Sequence, residues 1–289
     1  MFLKRVDGPR QVTLPDGSIL AQGYAPTKGD VKFAVKGFHV SSAPTAPRTI
    51  SAFRLELMND PNLPAYGPGR SQIGTAALTE FTAEMKINGK MTPLKFIKAT
   101  ADFGEPENTP LAPFAKDKDA EKDKRVTGPI AYAIDGNDKT AWGINAGPGR
   151  RNVPRNAVFV LEKPIQVKPE DELTVGLSMK HGGWNSDDHM NNNLGRFRIS
   201  ATKAEGGAKA DPLPKKVRDI LAIAPEKRTS VQIATVFSYW RTTVPDWKDA
   251  NDKVEVLWKE YPDGATSMTL ASREQPRETH MLRRGDWLK

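Results

Sequence analysis

The segment His181-Gly182-Gly183-Trp184-Asn185-Ser186-Asp187-Asp188-His189 sets two imidazoles, an indole, an amide and two carboxylates beside glycine-rich backbone. Those types fit recognition of a sugar: an aromatic face packs against the C–H side of a pyranose ring, and planar polar groups hydrogen-bond its hydroxyls. Trp184 is the candidate platform, with His181, Asn185 and Asp187 as polar partners. Arg150 and Arg151, which follow Gly147-Pro148-Gly149, and Arg196 add charge for an acidic sugar. Guanidinium binds carboxylate and sulfate bidentately. The same residues admit plainer readings, in which His181 satisfies a strand end and Trp184 covers a sheet edge. His181, Asp187 and His189 can also ligate a transition metal, though their spacing matches no strong signature.

A catalytic reading finds less support. The sequence contains no G-x-S-x-G, no P-loop and no H-E-x-x-H. Adjacent carboxylates such as Asp187/Asp188 and Glu170/Asp171 are expected by chance among 35 acidic residues. A glycosidase needs two carboxylates set across a cleft, which adjacency in sequence does not provide. The chain therefore reads as a non-enzymatic module.

A second segment, Ala131–Ile144 (AYAIDGNDKTAWGI), gathers hard oxygen donors in a tight turn. Asp135 supplies a carboxylate, Gly136 permits the turn, Thr140 supplies a hydroxyl, and the carbonyls of Asn137 and Thr140 can point inward. Trp142 can anchor the loop from beneath. A metal-free Asx-turn uses the same residues. The segment resembles the loop that wraps a structural Ca²⁺ in galactose-binding-like and discoidin-like sandwiches. By that resemblance Leu78-Thr79-Glu80-Phe81-Thr82-Ala83-Glu84 is the strand delivering a glutamate, Glu80, to the same ion. Ala99-Thr100-Ala101-Asp102 is similar to the strand that opens such domains. The glutamate strand comes last in those domains and precedes the Asp-Gly loop here, which implies a permuted or extended topology.

As a set, Gly67-Pro68-Gly69-Arg70, Leu78-Thr79-Glu80-Phe81, Ala133-Ile134-Asp135-Gly136, Trp142, His181-Gly182-Gly183, Leu194-Gly195-Arg196-Phe197-Arg198-Ile199-Ser200 and Arg283-Arg284-Gly285-Asp286 resemble the middle region of large planctomycete secreted proteins. Those proteins carry a cytochrome-c-like haem domain and family-specific domains of unknown function. The resemblance implies an extracytoplasmic parent protein and flanking domains as partners. Without cysteine the chain has no Cys-x-x-Cys-His, so no haem attaches covalently to it.

The elements that must position these residues read mainly as β-strands. Of 289 residues, 38% are hydrophobic, and Gly and Pro number 23 each, which fits short strands joined by punctuated loops. Strands are expected at Gln11–Leu14 and Ser18–Ala21 around a Pro15-Asp16-Gly17 turn, then at Val31–Gly37, Thr49–Met58 with a bulge at Ala52-Phe53, Ala77–Ile87, Leu94–Ala101, Ala157–Leu161, Glu172–Met179 and Gly195–Thr202. The mixed-charge run Lys116–Arg125 reads as a solvated loop. This pattern predicts an antiparallel jelly-roll sandwich of the galactose-binding-like kind over 1–203. After the linker-like Ala204–Ala210 the period turns helical over 204–289. One helix carries Val217, Ile220 and Leu221, a second is capped by Ser230, and a third runs over Pro245–Tyr261. Two tail strands are expected at Thr266–Ala271 and Thr279–Leu282.

The formal charge of +8 comes from basic residues spread along the chain, which fits a plain solvated basic surface or an anionic polysaccharide and gives weak support to a nucleic-acid footprint. No apolar run is long enough for a membrane span, and Met1-Phe2-Leu3-Lys4-Arg5 opens no signal peptide. The sequence-level expectation is a non-catalytic carbohydrate-binding module with structural Ca²⁺, cut from a larger secreted protein. Its alternative is a structural spacer or protein-interaction module without a glycan ligand.

Overall fold

The computed structural model describes residues 10–35, 48–87, 89–111, 124–168, 171–183, 191–204 and 207–262. The first strands, β1 (Arg10–Thr13) and β2 (Ile19–Gln22), form the expected hairpin. Gly17 takes φ +76° in its turn, and the Asp16 carboxylate accepts the N–H and hydroxyl of Ser18 at 2.9 and 2.6 Å. Those bonds, with the Arg196 guanidinium, hold Asp16 down at about 2.

The chain continues through β3 (Gly29–Val35), β4 (Arg48–Leu57), β5 (Ala77–Leu78), β6 (Glu80–Ile87), β7 (Lys90–Pro93), β8 (Phe96–Ala101) and β9 (Thr109–Pro110). It then forms β10 (Val126–Gly128), β11 (Thr140–Gly143), β12 (Arg155–Val167), β13 (Leu173–Met179) and β14 (Arg196–Thr202). One large sheet has the order β1-β2-β14-β4-β12-β8, and the other has β3-β13-β6-β7. A small sheet, β5-β11-β10-β9, contains the single parallel pair among the described strands, β10 with β11. The chain passes between the two large sheets at β2–β3, β3–β4, β7–β8, β12–β13 and β13–β14. The fold is thus mainly β and sandwich-like, with helices at its C-terminal end.

Inward side chains of the sheets meet in one core. Phe81 and Phe159 stack with centroids 4.0 Å apart, and Phe53 and Phe96 pack around them. Phe33 meets Phe197 edge-on at 5.5 Å. Leu78 and Trp142 carry the small sheet into the same core.

Several boundaries differ from the sequence reading. Ala77–Ile87 is two strands in different sheets: Leu78 pairs with Trp142 of β11, while the Thr79 N–H and Glu80 already meet Ser178 of β13. The β4 irregularity falls before Ala52: Ile50 pairs with Ile165 and Ala52 with Val160, so the extra residues lie in β12. Pro164 sits in that bulge, where the missing N–H disturbs no ladder, and the strand runs through it. Arg125, read as the end of a solvated run, is buried and donates to the Lys180 carbonyl.

Beyond the sandwich come α1 (Lys215–Leu221), α2 (Ser230–Trp240) and α3 (Lys248–Lys259). The cap of α2 is Thr229, one residue before the expected Ser230, in a capping box with Gln232. Pro245–Trp247 forms a separate 3-10 turn before α3. The helical segment is tied to the sandwich at two places. Asn156 exchanges hydrogen bonds with the Asp211 backbone, and Arg150 grips Glu255 with two bonds of 2.8 and 2.9 Å while lying over Trp258. The expected tail strands lie outside the described residues. Among the described residues, no helix is long and apolar enough to cross a membrane.

The aromatic stack is expected to carry the sandwich. Phe159→Ala should destabilise it by about 3–5 kcal/mol, and Phe237→Ala on half-exposed α2 by roughly 1 kcal/mol or less, in urea unfolding. Equal losses would contradict a core centred on the Phe81–Phe159 pair.

Candidate functional site

The Asp-Gly segment folds locally as its composition dictates. A 3-10 turn over Ile130–Ile134 ends at Asp135, and Gly136 turns the chain with φ +73°. Asp135 accepts the Asn137 N–H at 2.9 Å through one oxygen and the Thr140 hydroxyl at 2.7 Å through the other. The Asn137 carbonyl accepts the N–H and hydroxyl of Thr140 at 3.1 and 3.0 Å, and its side chain accepts the Lys139 N–H at 3.0 Å. Below the turn, Trp142 is fully buried and donates to the Phe103 carbonyl at 2.8 Å.

Glu80 meets this turn from another sheet. As the first residue of β6, it accepts the Gly136 N–H at 2.5 Å. Asp135, Asn137, Thr140 and Glu80, 55 or more residues apart at the widest step, therefore share one place. Burial, and then the nearby Asp135 charge, push Glu80 up to about 7, against backbone N–H groups that favour its ionised form. Asp138 on the same turn pairs with Lys180 at 2.8 Å.

Thr79, which composition did not single out, and His181, which it offered as a sugar partner, hold the two pieces in register. Thr79, fully buried, accepts the Lys180 N–H at 2.8 Å and faces His181 Nδ1 at 3.1 Å. His181 Nε2 faces the carbonyls of Val126 and Lys139 at 3.1 and 3.3 Å. Two carbonyls require a donor, so the proton sits on Nε2 and the Thr79 hydroxyl donates to Nδ1. The sequence did carry one signal: Leu78 and Phe81 are three apart, the wrong spacing for one continuous strand. Glu105 was also overlooked. Its buried carboxylate accepts the Thr127 hydroxyl and the Asn145 N–H, and burial raises its pKa.

Of the residues expected to bind sugar, the described ones, His181, Arg196, Arg150 and Arg151, are engaged with separate parts of the fold. His181 is 1% exposed, so its ring serves the interior and cannot reach a sugar on the surface. Arg196 donates to Asp16 at 2.7 Å and Asp60 at 3.3 Å, locking the first hairpin to the loop after β4. Arg150 is held by Glu255, with Arg151 beside it on the turn closed by the Gly147 carbonyl. Trp184, Asn185 and Asp187 lie outside the described residues, as does His189.

A separate loop is unusual in its backbone. Ala65 (φ 48°, ψ 28°) and Tyr66 (φ 54°) are consecutive left-handed residues, and Asn152 (φ 63°) joins them, donating to the Ala65 carbonyl at 3.2 Å. Such conformations cost about 1–3 kcal/mol each in non-glycine residues. Two acceptors here, Asn59 Oδ1 and Asn152 Oδ1, are buried without a hydrogen-bond partner.

No family model, curated protein or solved structure matches the chain.

Two outcomes follow. Because Glu80 titrates at about 7 when folded and near its ordinary 4.5 when unfolded, the folded state binds more protons between those values. In chelator, stability should therefore fall as pH rises from about 4.5 to 7, and Glu80→Gln should flatten that slope in thermal melts. A slope unchanged by Glu80→Gln would contradict the assignment. Ala65→Gly should stabilise by roughly 0.5–1 kcal/mol, the relief of left-handed strain less the entropy of glycine. A loss on urea unfolding would contradict the strained geometry.

Proposed function

We propose that the chain is a non-catalytic carbohydrate-binding module with a structural Ca²⁺ site, of galactose-binding-like kind, serving a larger extracytoplasmic protein. One observation carries the reading: Glu80 and Asp135 meet at the Asp-Gly turn together with the Thr140 hydroxyl and the Asn137 carbonyl. The donors are all oxygen, the set a hard cation takes. The chemistry of the donor set fits the ion, since a half-buried glutamate opposed by a second carboxylate gains from a divalent charge between them. Asp135, Glu80, Thr140 and Asn137 would hold it, and the ion would fasten β6 to the turn before β11. These residues orient backbone and neutralise charge; no bond-making step is assigned to them.

Sugar contact is proposed for the Trp184 loop, where indole, amide and carboxylate lie close in sequence. The basic surplus of the chain supports an anionic polysaccharide as the ligand.

A second reading, a spacer or protein-interaction module joining flanking domains, draws on the helices. Neither α2 nor α3 buries a side chain, and Val231 and Leu257 are 72% and 66% exposed. Exposed apolar side chains on a helix commonly meet another protein surface.

A glycan array with about 1 mM Ca²⁺, repeated with chelator, separates the two readings. The module reading expects binding to a defined glycan class, weakened by chelator and by Asp135→Asn, and lost in Trp184→Ala. A blank array in both arms, with retention of flanking domains added in trans, would favour the spacer.

A further inference from the structure

The loop between β4 and β5 is built more tightly than a connector requires. The Gly67 N–H donates to the Pro64 carbonyl at 2.9 Å, the Gly69 N–H to the Gly74 carbonyl at 2.9 Å, and the Gly74 N–H to the Ser71 carbonyl at 2.8 Å. A Cβ on Gly67 would lie 2.1 Å from the Gly74 carbonyl oxygen, and one on Gly69 would lie 1.9 Å from that of Thr75. Two turns, Pro64–Gly67 and Ser71–Gly74, therefore cross in direct backbone contact. Arg70 pins them to the carbonyls of Gly23 and Tyr24, and Asn152 pins Ala65. Leu63 is buried beneath, against Gly195.

This rigid crossing presents an aromatic ring to solvent. Tyr66 is 60% exposed, and Ile73 and Gln72, on the turn whose Gly74 meets Gly67, are exposed as well. A tyrosine that merely ends a loop has no need of two consecutive left-handed residues to hold it. Fixing an aromatic face in advance removes the ordering entropy that a flexible loop would lose on binding. Two apolar side chains and one amide are too few for a protein interface, which takes about 20–30 residues a side. They match one or two sugar rings, with the C–H face on the tyrosine and hydroxyls on the amide.

We propose that the crossed turns Pro64–Gly67 and Ser71–Gly74 form a saccharide-contact site, with Tyr66 as platform and Gln72 as polar partner. The inference rests on the carbohydrate-binding reading above and adds a contact surface separate from the Trp184 loop.

The test uses the full chain. Glycans that bind the wild type on an array are titrated calorimetrically against wild type, Tyr66→Ala, Tyr66→Trp, Gln72→Ala and Trp184→Ala, each checked by thermal unfolding. The expected result is an affinity loss of about tenfold or more in Tyr66→Ala at an unchanged melting temperature, with Tyr66→Trp retaining binding. Gln72→Ala, which leaves the left-handed backbone untouched, should also weaken binding and decides the matter should Tyr66→Ala unfold. Wild-type affinity in both Tyr66→Ala and Gln72→Ala, alongside loss in Trp184→Ala, would overturn this site and leave the module reading standing. A wild-type array that is blank would overturn the module reading and this site with it. Self-association abolished by Tyr66→Ala with glycan binding intact would assign the ring to a protein contact and overturn the proposal.

Discussion

A buried imidazole holds the sheets together around the Asp-Gly turn. His181 follows β13 and reaches three separate pieces of chain: Thr79 between β5 and β6, Val126 at the start of β10, and Lys139 in the Asp-Gly turn. Glu80 is the residue after Thr79, and Asp135 opens the turn that Lys139 nearly closes. The ring therefore sets how close the two carboxylates come. Removing it would take one bond from each of its three partners, leaving the Thr79 hydroxyl with the Lys180 N–H and the Lys139 carbonyl with the Val126 N–H, at about 0.5–1.5 kcal/mol for each bond lost. The neutral tautomer with its proton on Nε2 is the only one that satisfies all three contacts without adding charge to the interior.

The remaining polar interior follows the same pattern of short reach between sheets. Without cysteine the chain has no disulfide to staple the small sheet to the large ones. Leu78 and Trp142 do this by packing and the Arg125–Lys180 contact by hydrogen bonding, while the Thr127–Glu105–Asn145 bonds tie β10 to the loop before β9 and the segment after β11. Gly143 makes room for the Glu105 carboxylate, since a Cβ there would fall 2.5 Å from it. Such a network fixes one arrangement of three sheets, because a shifted register would strand several buried polar groups at once. The carboxylate pair is the part it leaves electrostatically unresolved, and the proposed cation answers that charge.

Much of the sandwich was legible because alternation survives in the strands that border the core. Phe53, Leu55 and Leu57 point inward against Arg54 and Glu56, as their sequence parity requires. The Asp-Gly turn was legible because its chemistry is local. Its meeting with Glu80 came only through resemblance, since spacing alone does not join residues 55 apart. Long-range placement escaped the sequence elsewhere too. His181 and Arg196 are polar residues near glycine, which reads as surface, yet tertiary partners draw both inward. The Tyr66 turns fall in the gap between the expected strands Thr49–Met58 and Ala77–Ile87, and left-handed backbone at Ala65 and Tyr66 has no signature in residue type. Thr229 displaced Ser230 as the cap because both types serve and Gln232 stands three residues after Thr229, which completes the box.

The central claim is that Glu80 and Asp135 form one cation site whose charge is balanced by a proton when the ion is absent. Calorimetric titration of Ca²⁺ near pH 7, in buffers of different ionisation enthalpy, measures ion affinity and proton release together. The account predicts saturable binding of one Ca²⁺ in the micromolar to millimolar range with release of roughly half a proton, and no release in Glu80→Gln. Absence of saturable binding, or binding without proton release in the wild type, would contradict it.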